Sequence, residues 1–249
     1  MNSIYLGNPI ASGNTADIFL HENKVIKIFK DHLPSSEAMK EASKQKLAHS
    51  AGIPVPEVLD VSRINGKQSI TMEYVQGKTL GELFFEDKGQ AEMYLMLSVD
   101  LQEQIHHIIP KSLERMSDKL GSQITSVSQI DKRQKSNLLS KLNSIKFEER
   151  LCHGDFHLFN LILADNKVVI IDWVDSSAGD IRADVYRTYL LYSQFYPDLA
   201  EKYVSLYCQK TGLSRSDIFE WAPIIAAARL AESVSTENQD RLLEIVNQY

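Results

Sequence analysis

The first third of the chain carries short apolar runs that predict β-strands. Residues 18–20 and 25–29 are rich in β-branched and aromatic side chains and flank a polar turn, a pattern that predicts a hairpin. After this hairpin, residues 34–37 (Pro-Ser-Ser-Glu) are typical of a helix start. The predicted helix continues to Ser50, because Gly52 ends it.

A second hairpin is predicted directly after this helix. Residues 58–61 and 69–75 form two further apolar runs on either side of Asn65-Gly66, a dipeptide that favours tight hairpin turns. The pattern then becomes helical. Apolar residues recur every three or four positions over residues 91–109, and another helix is predicted over residues 132–145.

A β-rich segment at residues 151–173 interrupts the helices, which resume near Arg182. This order of elements predicts an α+β fold with two lobes. The predicted organisation is a β-rich N-terminal lobe at residues 1–72, a hinge at 73–78 and a larger helical C-terminal lobe at 79–249.

Composition and charge narrow the class of protein. The chain has 249 residues and a formal net charge of -6, which disfavours a nucleic-acid partner and would suit a cationic small molecule. Its two cysteines form no CxxC pair, and its N-terminus lacks the features of a signal peptide. No apolar stretch is long enough to cross a membrane. We therefore expect a cytoplasmic protein that binds neither nucleic acid nor membranes.

Polar residues that suit a reaction lie at the ends of strands in the β-rich segment. Asp155 and Asn160 are five positions apart on one loop, and Asp172 follows the next hairpin. A hairpin returns the chain close to where it left, so Asn160 and Asp172 are expected to face each other across a gap. Such a gap suits Mg²⁺, which favours oxygen ligands and takes few of them from protein.

Residues 153–160, followed by Ile171-Asp172-Trp173, resemble the signature of the aminoglycoside phosphotransferase and choline kinase superfamily, distant relatives of protein kinases. The resemblance implies a kinase-like fold and a small hydroxylated acceptor. It implies that Asp155 orients the acceptor hydroxyl and accepts its proton. Asn160 and Asp172 would coordinate Mg²⁺ on the phosphates of ATP, with GTP as an alternative donor.

The resemblance extends through the N-terminal half in the same order. Lys27 resembles the strand lysine that contacts the ATP phosphates, and Glu41 resembles the helix glutamate that holds this lysine. Two backbone segments would complete the nucleotide site: a loop over the phosphates at Ser12, Gly13, Asn14 and Thr15, and a hinge against the adenine at Glu73, Tyr74 and Val75.

Neighbouring residues of the same chemistry remain alternatives for this pair. Lys24 and Lys30 compete with Lys27, and Glu37 competes with Glu41 one helical turn away. Lys27 is preferred because its flanking isoleucines place its side chain on the opposite face of the strand. As a residue near a strand end, it is expected to be replaceable without loss of the fold.

The histidines of the chain are interpreted as structural. His153 would brace the catalytic loop, while the role of His157 stays open between structure and function. The two lack a third ligand, which argues against zinc. His106-His107 would contribute only positive charge at the end of a helix.

Three further carboxylates follow the β-rich segment. By resemblance, Asp184 braces the catalytic loop through its backbone. Asp175 and Asp180 are candidates for facing a cationic acceptor.

Three functional classes remain open at this stage: a small-molecule kinase, a protein kinase, and an inactive nucleotide-binding module. Only eleven residues separate Asp172 from Asp184, which leaves little room for a segment that docks a peptide. The presence of Lys27, Asp155 and Asn160 argues against an inactive module. The sequence favours a small-molecule kinase, with an antibiotic, a small alcohol or an amino sugar as alternative acceptors.

Overall fold

The structure of the chain, a computed structural model, describes residues 5–248. The chain forms two compact units. One comprises the described residues up to Leu83 together with Phe159–Val174, and the other comprises Phe84–Leu158 and the described residues from Asp175 onward. The lobe boundaries expected from the sequence at residues 72 and 79 stay a prediction, since these units are discontinuous in sequence.

The first unit contains a five-stranded antiparallel sheet with the strand order β1-β2-β3-β5-β4. Both predicted hairpins are confirmed, and Asn23 and Asn65 in their turns have the positive φ angles, 58° and 51°, that tight hairpin turns require. The strands are β1 (Ala11–Ser12), β2 (Ala16–His21), β3 (Lys24–Phe29), β4 (Val58–Ile64) and β5 (Lys67–Glu73).

The predicted N-terminal helix is confirmed as α1 (Glu37–Ser50), which packs against this sheet. Its buried alanines allow close approach of the helix to the strands, and they form one apolar cluster with side chains of β3, β4 and β5. The members of this cluster are Phe29, Ala38, Ala42, Val58, Ile70 and Met72.

A second sheet of the first unit has three antiparallel strands in the order β6-β8-β9. These are β6 (Lys78–Thr79), β8 (Leu161–Ala164) and β9 (Lys167–Ile170). The amide of Ile171 donates to the carbonyl oxygen of Asn160 at 3.0 Å, at the open end of the β8–β9 hairpin. Asn160 and Asp172 are therefore brought to the same end of this hairpin, as the sequence predicts.

The second unit is mainly helical. The helices predicted over residues 91–109 and 132–145 are present, although the first ends at His106. The helical elements from residue 80 on are α2 (Leu80–Glu86), α3 (Ala91–His106), α4 (Met116–Ser126), α5 (Lys132–Ser144), α6 (Ile181–Ser193), α7 (Pro197–Thr211), α8 (Arg215–Phe219), α9 (Ala222–Ala231) and α10 (Gln239–Asn247).

One small sheet lies within this helical unit. It pairs β7 (Arg150–Cys152) with β10 (Ser177–Gly179) in antiparallel register, Cys152 opposite Ser177. Because β7 leads into the loop at residue 155 and β10 precedes α6, the sheet fixes the start of the loop relative to that helix. The α+β class predicted from the sequence is confirmed. Within residues 5–248, no helix combines the length and apolarity of a membrane span.

Gly77→Ala tests the packing of the three-stranded sheet. A Cβ at this position would overlap with the carbonyl oxygen of Leu163 in β8 and crowd the side chain of Ile162. We expect the free energy of unfolding to fall by about 1–3 kcal/mol, the usual cost of overpacking. Urea denaturation measures the change. Gly13→Ala is the control, because its Cβ would have its nearest neighbour at 3.8 Å, and equal stability of the two variants would contradict the prediction.

Candidate active site

A buried lysine in the first unit forms ion pairs with two carboxylates. Lys27, on β3, is 7% exposed, and its Nζ lies 2.6 Å from Oε1 of Glu41 and 3.3 Å from Oδ1 of Asp172. Burial disfavours the charge on Lys27, but the two carboxylates outweigh burial and raise its pKa. The lysine is therefore held as a cation away from water.

The two lysines that the sequence leaves open as alternatives to Lys27 are Lys24 and Lys30. Lys24 is exposed at the start of β3, and Lys30 pairs with Asp17 at 2.7 Å. Of the three lysines, Lys27 is the one that the structure pairs with Glu41.

The premise that Lys27 lies near a strand end, from which its replaceability was expected, is wrong. Lys27 lies in the middle of β3 rather than at its end, and Glu41 is 2% exposed. Removing the lysine would leave a buried carboxylate without its cationic partner, which is strongly destabilising. The second oxygen of Glu41, Oε2, has no hydrogen-bond partner among residues 5–248, so Lys27 is its main compensation.

A cavity of about 260 Å³ opens beside this pair within the first unit. Most of its wall is apolar, which suits a flat aromatic base, and its polar groups are few. Glu73, Tyr74 and Val75, the predicted hinge, line it directly. The remaining wall includes Ile10, Ile18, Val25, Met72, Ile162 and Ile171.

Asn160 and Asp172 also line this cavity. Their amide and carboxylate oxygens are the ligand types that Mg²⁺ prefers, so the residues present fit the implied metal. Asp172 has a positive φ of 62°, a conformation that aspartate tolerates better than most residues and that is common at functional sites. The roles of Asn160 and Asp172 as metal ligands stay a prediction.

The predicted phosphate loop is an exposed turn between β1 and β2. Ser12 donates to Asp17 at 2.6 Å, and the amide of Gly13 donates to the carbonyl of Ala16. Ser12, Gly13, Asn14 and Thr15 lie outside the cavity wall, although Ile10 and Ile18 on either side of them belong to it. Contact of this loop with phosphate stays a prediction.

Helix α1 supplies two further polar contacts that the sequence analysis missed. Lys44 donates to the carbonyl oxygen of Val174 at 2.6 Å, and Gln45 donates to that of Pro56 at 2.7 Å. The several charged residues at 40–46 are typical of a solvated helix face, yet Glu41, Lys44 and Gln45 follow the spacing of one helix side. That spacing is the signal by which they were identifiable.

Asp155, the predicted catalytic residue, belongs to the second unit. Its Oδ2 lies 3.3 Å from Nε2 of His157, and its amide donates to Nδ1 of His153. Burial raises the pKa of the Asp155 carboxyl, but the hydrogen bond and charge of His157, with the charge of Arg187, lower it below its ordinary value. Asp155 is therefore ionised at neutral pH.

Asp184 fixes the backbone of the loop that carries Asp155. It accepts hydrogen bonds from the amides of Gly154 at 2.7 Å and His153 at 3.3 Å. Burial raises its pKa, but hydrogen bonds from His106, Gln102 and Gly154 outweigh burial and lower the pKa to about 2. The structure thus gives Asp184 the bracing position that the family resemblance implies.

The interpretation of His106 as a mere helix-end charge is wrong. His106 is buried, its Nε2 lies 2.9 Å from Asp184, and its Nδ1 lies 2.6 Å from the hydroxyl of Tyr207. Gln102, one turn earlier on α3, also donates to Asp184 and accepts from Tyr203. The spacing of four between Gln102 and His106 places both on one helix side, a signal that the sequence offered.

Asp180 does not face an acceptor, contrary to the sequence-based suggestion. It is 2% exposed, caps α6 through the amide of Arg182, and accepts from the indole of Trp221. Asp175 pairs with Lys119 at 2.6 Å, so its charge is already compensated.

Among residues 5–248, one group of side chains has the spacing of metal ligands: His106, Cys152 and Asp184. Burial and the nearby Asp184 raise the pKa of the Cys152 thiol, which keeps it protonated, and Asp184 is occupied by its hydrogen bonds. We interpret this group as a polar network inside the unit.

The chain belongs to the phosphotransferase enzyme family, whose sequence profile matches residues 7–223.

Solved structures of known phosphotransferases share the fold. Aminoglycoside phosphotransferase APH(4)-Ia superposes with a TM-score of 0.72 at 15% identity, covering 96% of this chain and 92% of that one. Choline kinase LicA from Streptococcus pneumoniae gives a TM-score of 0.66 at 14% identity, covering 97% and 93%. The predicted kinase-like fold is confirmed.

Curated relatives match only in part. Acyl-CoA dehydrogenase family member 11 of Gallus gallus is 27% identical over 218 residues, and the human protein of that name is 25% identical over 212 residues. The match covers 68% of this chain and 27% of each relative. The chain therefore spans about a quarter of the length of these relatives.

Lys27→Met tests the buried ion pair. The substitution keeps most of the side-chain volume but leaves Glu41 without its cation. We expect the free energy of unfolding to fall by about 3–5 kcal/mol, and adding Glu41→Leu should recover part of this loss. Urea denaturation followed by circular dichroism measures both. Lys30→Met, which removes a surface pair, should cost below about 1 kcal/mol. A loss that small in Lys27→Met would show that the pair contributes little.

Asp184→Asn tests the charge that braces the loop. The folded-state pKa of about 2 lies below the ordinary value of 3.8, so in acid the unfolded chain binds a proton that the folded chain does not. Stability from this carboxylate is complete above the higher value and is lost as pH falls through the lower one. We expect the acid loss of unfolding free energy to be about 2 kcal/mol smaller in Asp184→Asn.

The measurement is a urea titration of each protein at several pH values from neutral to strongly acid. Asp165→Asn, at an exposed turn, is the matched control and should keep the wild-type pH dependence. Parallel profiles for wild type and Asp184→Asn would contradict the assignment.

Proposed function

We propose that this protein transfers the γ-phosphoryl group of ATP to a hydroxyl group of a small molecule. The observation that carries the proposal is the buried Lys27, paired with Glu41 and Asp172 beside an apolar cavity. A cation fixed in this way beside a cavity suits the binding of phosphate oxygens.

The cavity of the first unit is assigned to the nucleotide. Its apolar wall would hold the base, and the backbone at Glu73, Tyr74 and Val75 would bind the base edge. Lys27 would contact the phosphates. Asn160 and Asp172 would hold Mg²⁺, which offsets the negative charge on the phosphates when bound. GTP remains an alternative donor.

Asp155 is assigned to the acceptor. An ionised carboxylate accepts a hydrogen bond from the acceptor hydroxyl. This hydrogen bond orients a lone pair of the hydroxyl oxygen for attack on the γ-phosphorus of ATP. The new O–P bond forms as the bond from the γ-phosphorus to the ADP oxygen breaks, and the hydroxyl proton passes to Asp155. Because the pKa of Asp155 is lowered, it is a weak base, and orientation of the hydroxyl is its larger contribution.

A small-molecule acceptor is favoured over a peptide by the segment that follows Asp172. Residues 176–180 are buried, and Ser177–Gly179 pair with Arg150–Cys152. A segment fixed inside a sheet is not available to dock a peptide substrate.

The named similar proteins differ in what they act on, so they guide the choice of acceptors to test. One similar structure is a ternary complex of its enzyme with hygromycin B, another is a choline kinase, and the curated relatives bear the name of an acyl-CoA dehydrogenase. A panel of aminoglycosides, small alcohols, amino sugars and hydroxylated acyl compounds covers these classes.

Asp155→Asn and Asp172→Asn together test the assignment of roles. Asp155→Asn removes the charge but keeps the size of the side chain, so kcat should fall by roughly 10² to 10⁴ while nucleotide affinity changes little. Asp172→Asn should weaken Mg²⁺-dependent nucleotide binding as well as turnover, because its carboxylate is assigned to the metal.

Calorimetry with AMP-PNP, with and without Mg²⁺, measures nucleotide binding, and ADP release with acceptors from the panel measures turnover. Asp165→Asn, in the exposed turn between β8 and β9, should leave both unchanged. Near-normal turnover of Asp155→Asn would overturn the mechanism even though the fold stands.

A further inference from the structure

A second, smaller cavity lies within the second unit, next to the loop that carries Asp155. Its volume is about 40 Å³, room for roughly three water-sized atoms. Gly154, the neighbour of Asp155 in the chain, forms part of the wall. Five charged side chains contribute to the rest: Lys119, Asp175, Asp184, Arg187 and Glu232. The volume of the cavity therefore matches a small group rather than a ring.

Arg187, on α6, is the unusual member of this wall. It is 7% exposed, and one N–H of its guanidinium donates to Oε2 of Glu232 at 2.7 Å. A guanidinium carries five N–H groups, and buried donors normally have acceptors. Among residues 5–248, Glu232 is the one hydrogen-bond acceptor of Arg187, so the other donors are available to a ligand in the cavity.

Lys119 adds a second positive charge to the same wall. Its Nζ donates to Oδ1 of Asp175 at 2.6 Å and to the carbonyl oxygen of Asp175 at 3.2 Å, which leaves one of its three hydrogens. Its side chain is partly exposed, so a ligand can reach it. The carboxylates of the wall, in contrast, already have partners. Asp175 pairs with Lys119, Glu232 pairs with Arg187 and Arg229, and Asp184 accepts hydrogen bonds from Gln102 and Gly154 and lies 2.9 Å from Nε2 of His106.

Arg187 is also close enough to Asp155 for their charges to interact. Arg187 lowers the pKa of Asp155, and Asp155 in turn raises the pKa of Arg187, although burial of the guanidinium acts against this. A group bound at Arg187 would thus lie near the carboxylate that is assigned to the acceptor hydroxyl.

We propose that Arg187, assisted by Lys119, binds a carboxylate of the acceptor, so that the substrate class is a hydroxy acid. A planar guanidinium matches a carboxylate with two parallel hydrogen bonds, and a carboxylate has three heavy atoms, the size that the cavity admits. A polycationic acceptor would meet the charges of Lys119 and Arg187 in this wall, where each of the three carboxylates is already held by a cation or by hydrogen-bond donors. The inference rests on the proposed function, because it concerns the acceptor of the same reaction.

The first test uses the wild-type protein and varies only the charge of the acceptor. Hydroxy carboxylates of three to six carbons are compared with their methyl esters, with amino alcohols of the same length, with phosphorylated alcohols and with aminoglycosides. We expect kcat/KM to be higher for the carboxylates than for their esters by about 10- to 100-fold, the usual effect of losing charge-assisted hydrogen bonds. Equal values for acid and ester, or a preference for amines, aminoglycosides or phosphorylated alcohols, would overturn the inference.

The second test changes the cations. Arg187→Met should raise KM for the best hydroxy carboxylate by about 10- to 100-fold and abolish the preference for acid over ester, whereas Arg187→Lys should restore only part of it. Lys119→Met should raise KM less. The matched control is Arg229→Met, which removes another guanidinium from Glu232 but lies outside the cavity wall. An acid preference that survives in both Arg187→Met and Lys119→Met would contradict the proposal.

Calorimetry of hydroxy carboxylates with protein saturated by AMP-PNP and Mg²⁺ separates this inference from the proposed function. Transfer to aminoglycosides but not to hydroxy acids leaves the kinase function standing and overturns the inference. Absence of transfer to every acceptor, with carboxylate binding that Arg187→Met removes and Arg229→Met keeps, overturns the function and supports the anion site. If Arg187→Met does not fold, the proposal is tested by Lys119→Met and by the comparison of acceptors of different charge in the wild-type protein.

Discussion

The ion pair between Lys27 and Glu41, with Asp172 as second partner, is the constraint on which the first unit depends. A lysine buried in a sheet is tolerated only with a carboxylate beside it, and the three residues come from a strand, a helix and the end of a hairpin. Asp172 is 145 positions from Lys27 in the chain, so the contact between these two residues forms only when distant segments have folded together. The same charges that hold the unit together face the cavity assigned to the nucleotide.

The second unit uses a buried carboxylate in a comparable way. Asp184 accepts hydrogen bonds from the loop amides of His153 and Gly154, and its own charge is supported by Gln102 and His106 from α3. Asp155, the next residue of this loop, keeps a partly exposed and ionised carboxylate. Rigid support beneath an accessible carboxylate is what orientation of a substrate hydroxyl requires.

Local signals in the sequence were sufficient for the hairpins, for α1 and for the position of Asn160 and Asp172 at one hairpin end. They were insufficient where contacts between distant segments determine the burial and the partners of a side chain. The isoleucines beside Lys27 predict the face of its side chain, but not that α1 covers that face and buries the lysine. Likewise, His106 and Arg187 occupy ordinary helical positions, and their partners Asp184 and Glu232 are 78 and 45 positions away.

The measurement that tests the central claim most directly is a crystal structure with AMP-PNP and Mg²⁺. We predict the nucleotide base in the cavity beside Lys27, the Nζ of Lys27 on a phosphate oxygen, and Mg²⁺ bound by Asn160 and Asp172 at about 2.0–2.1 Å. Manganese in place of magnesium identifies the metal position by its anomalous scattering. A metal held by other side chains, or a nucleotide bound outside this cavity, would contradict the assignment of the site.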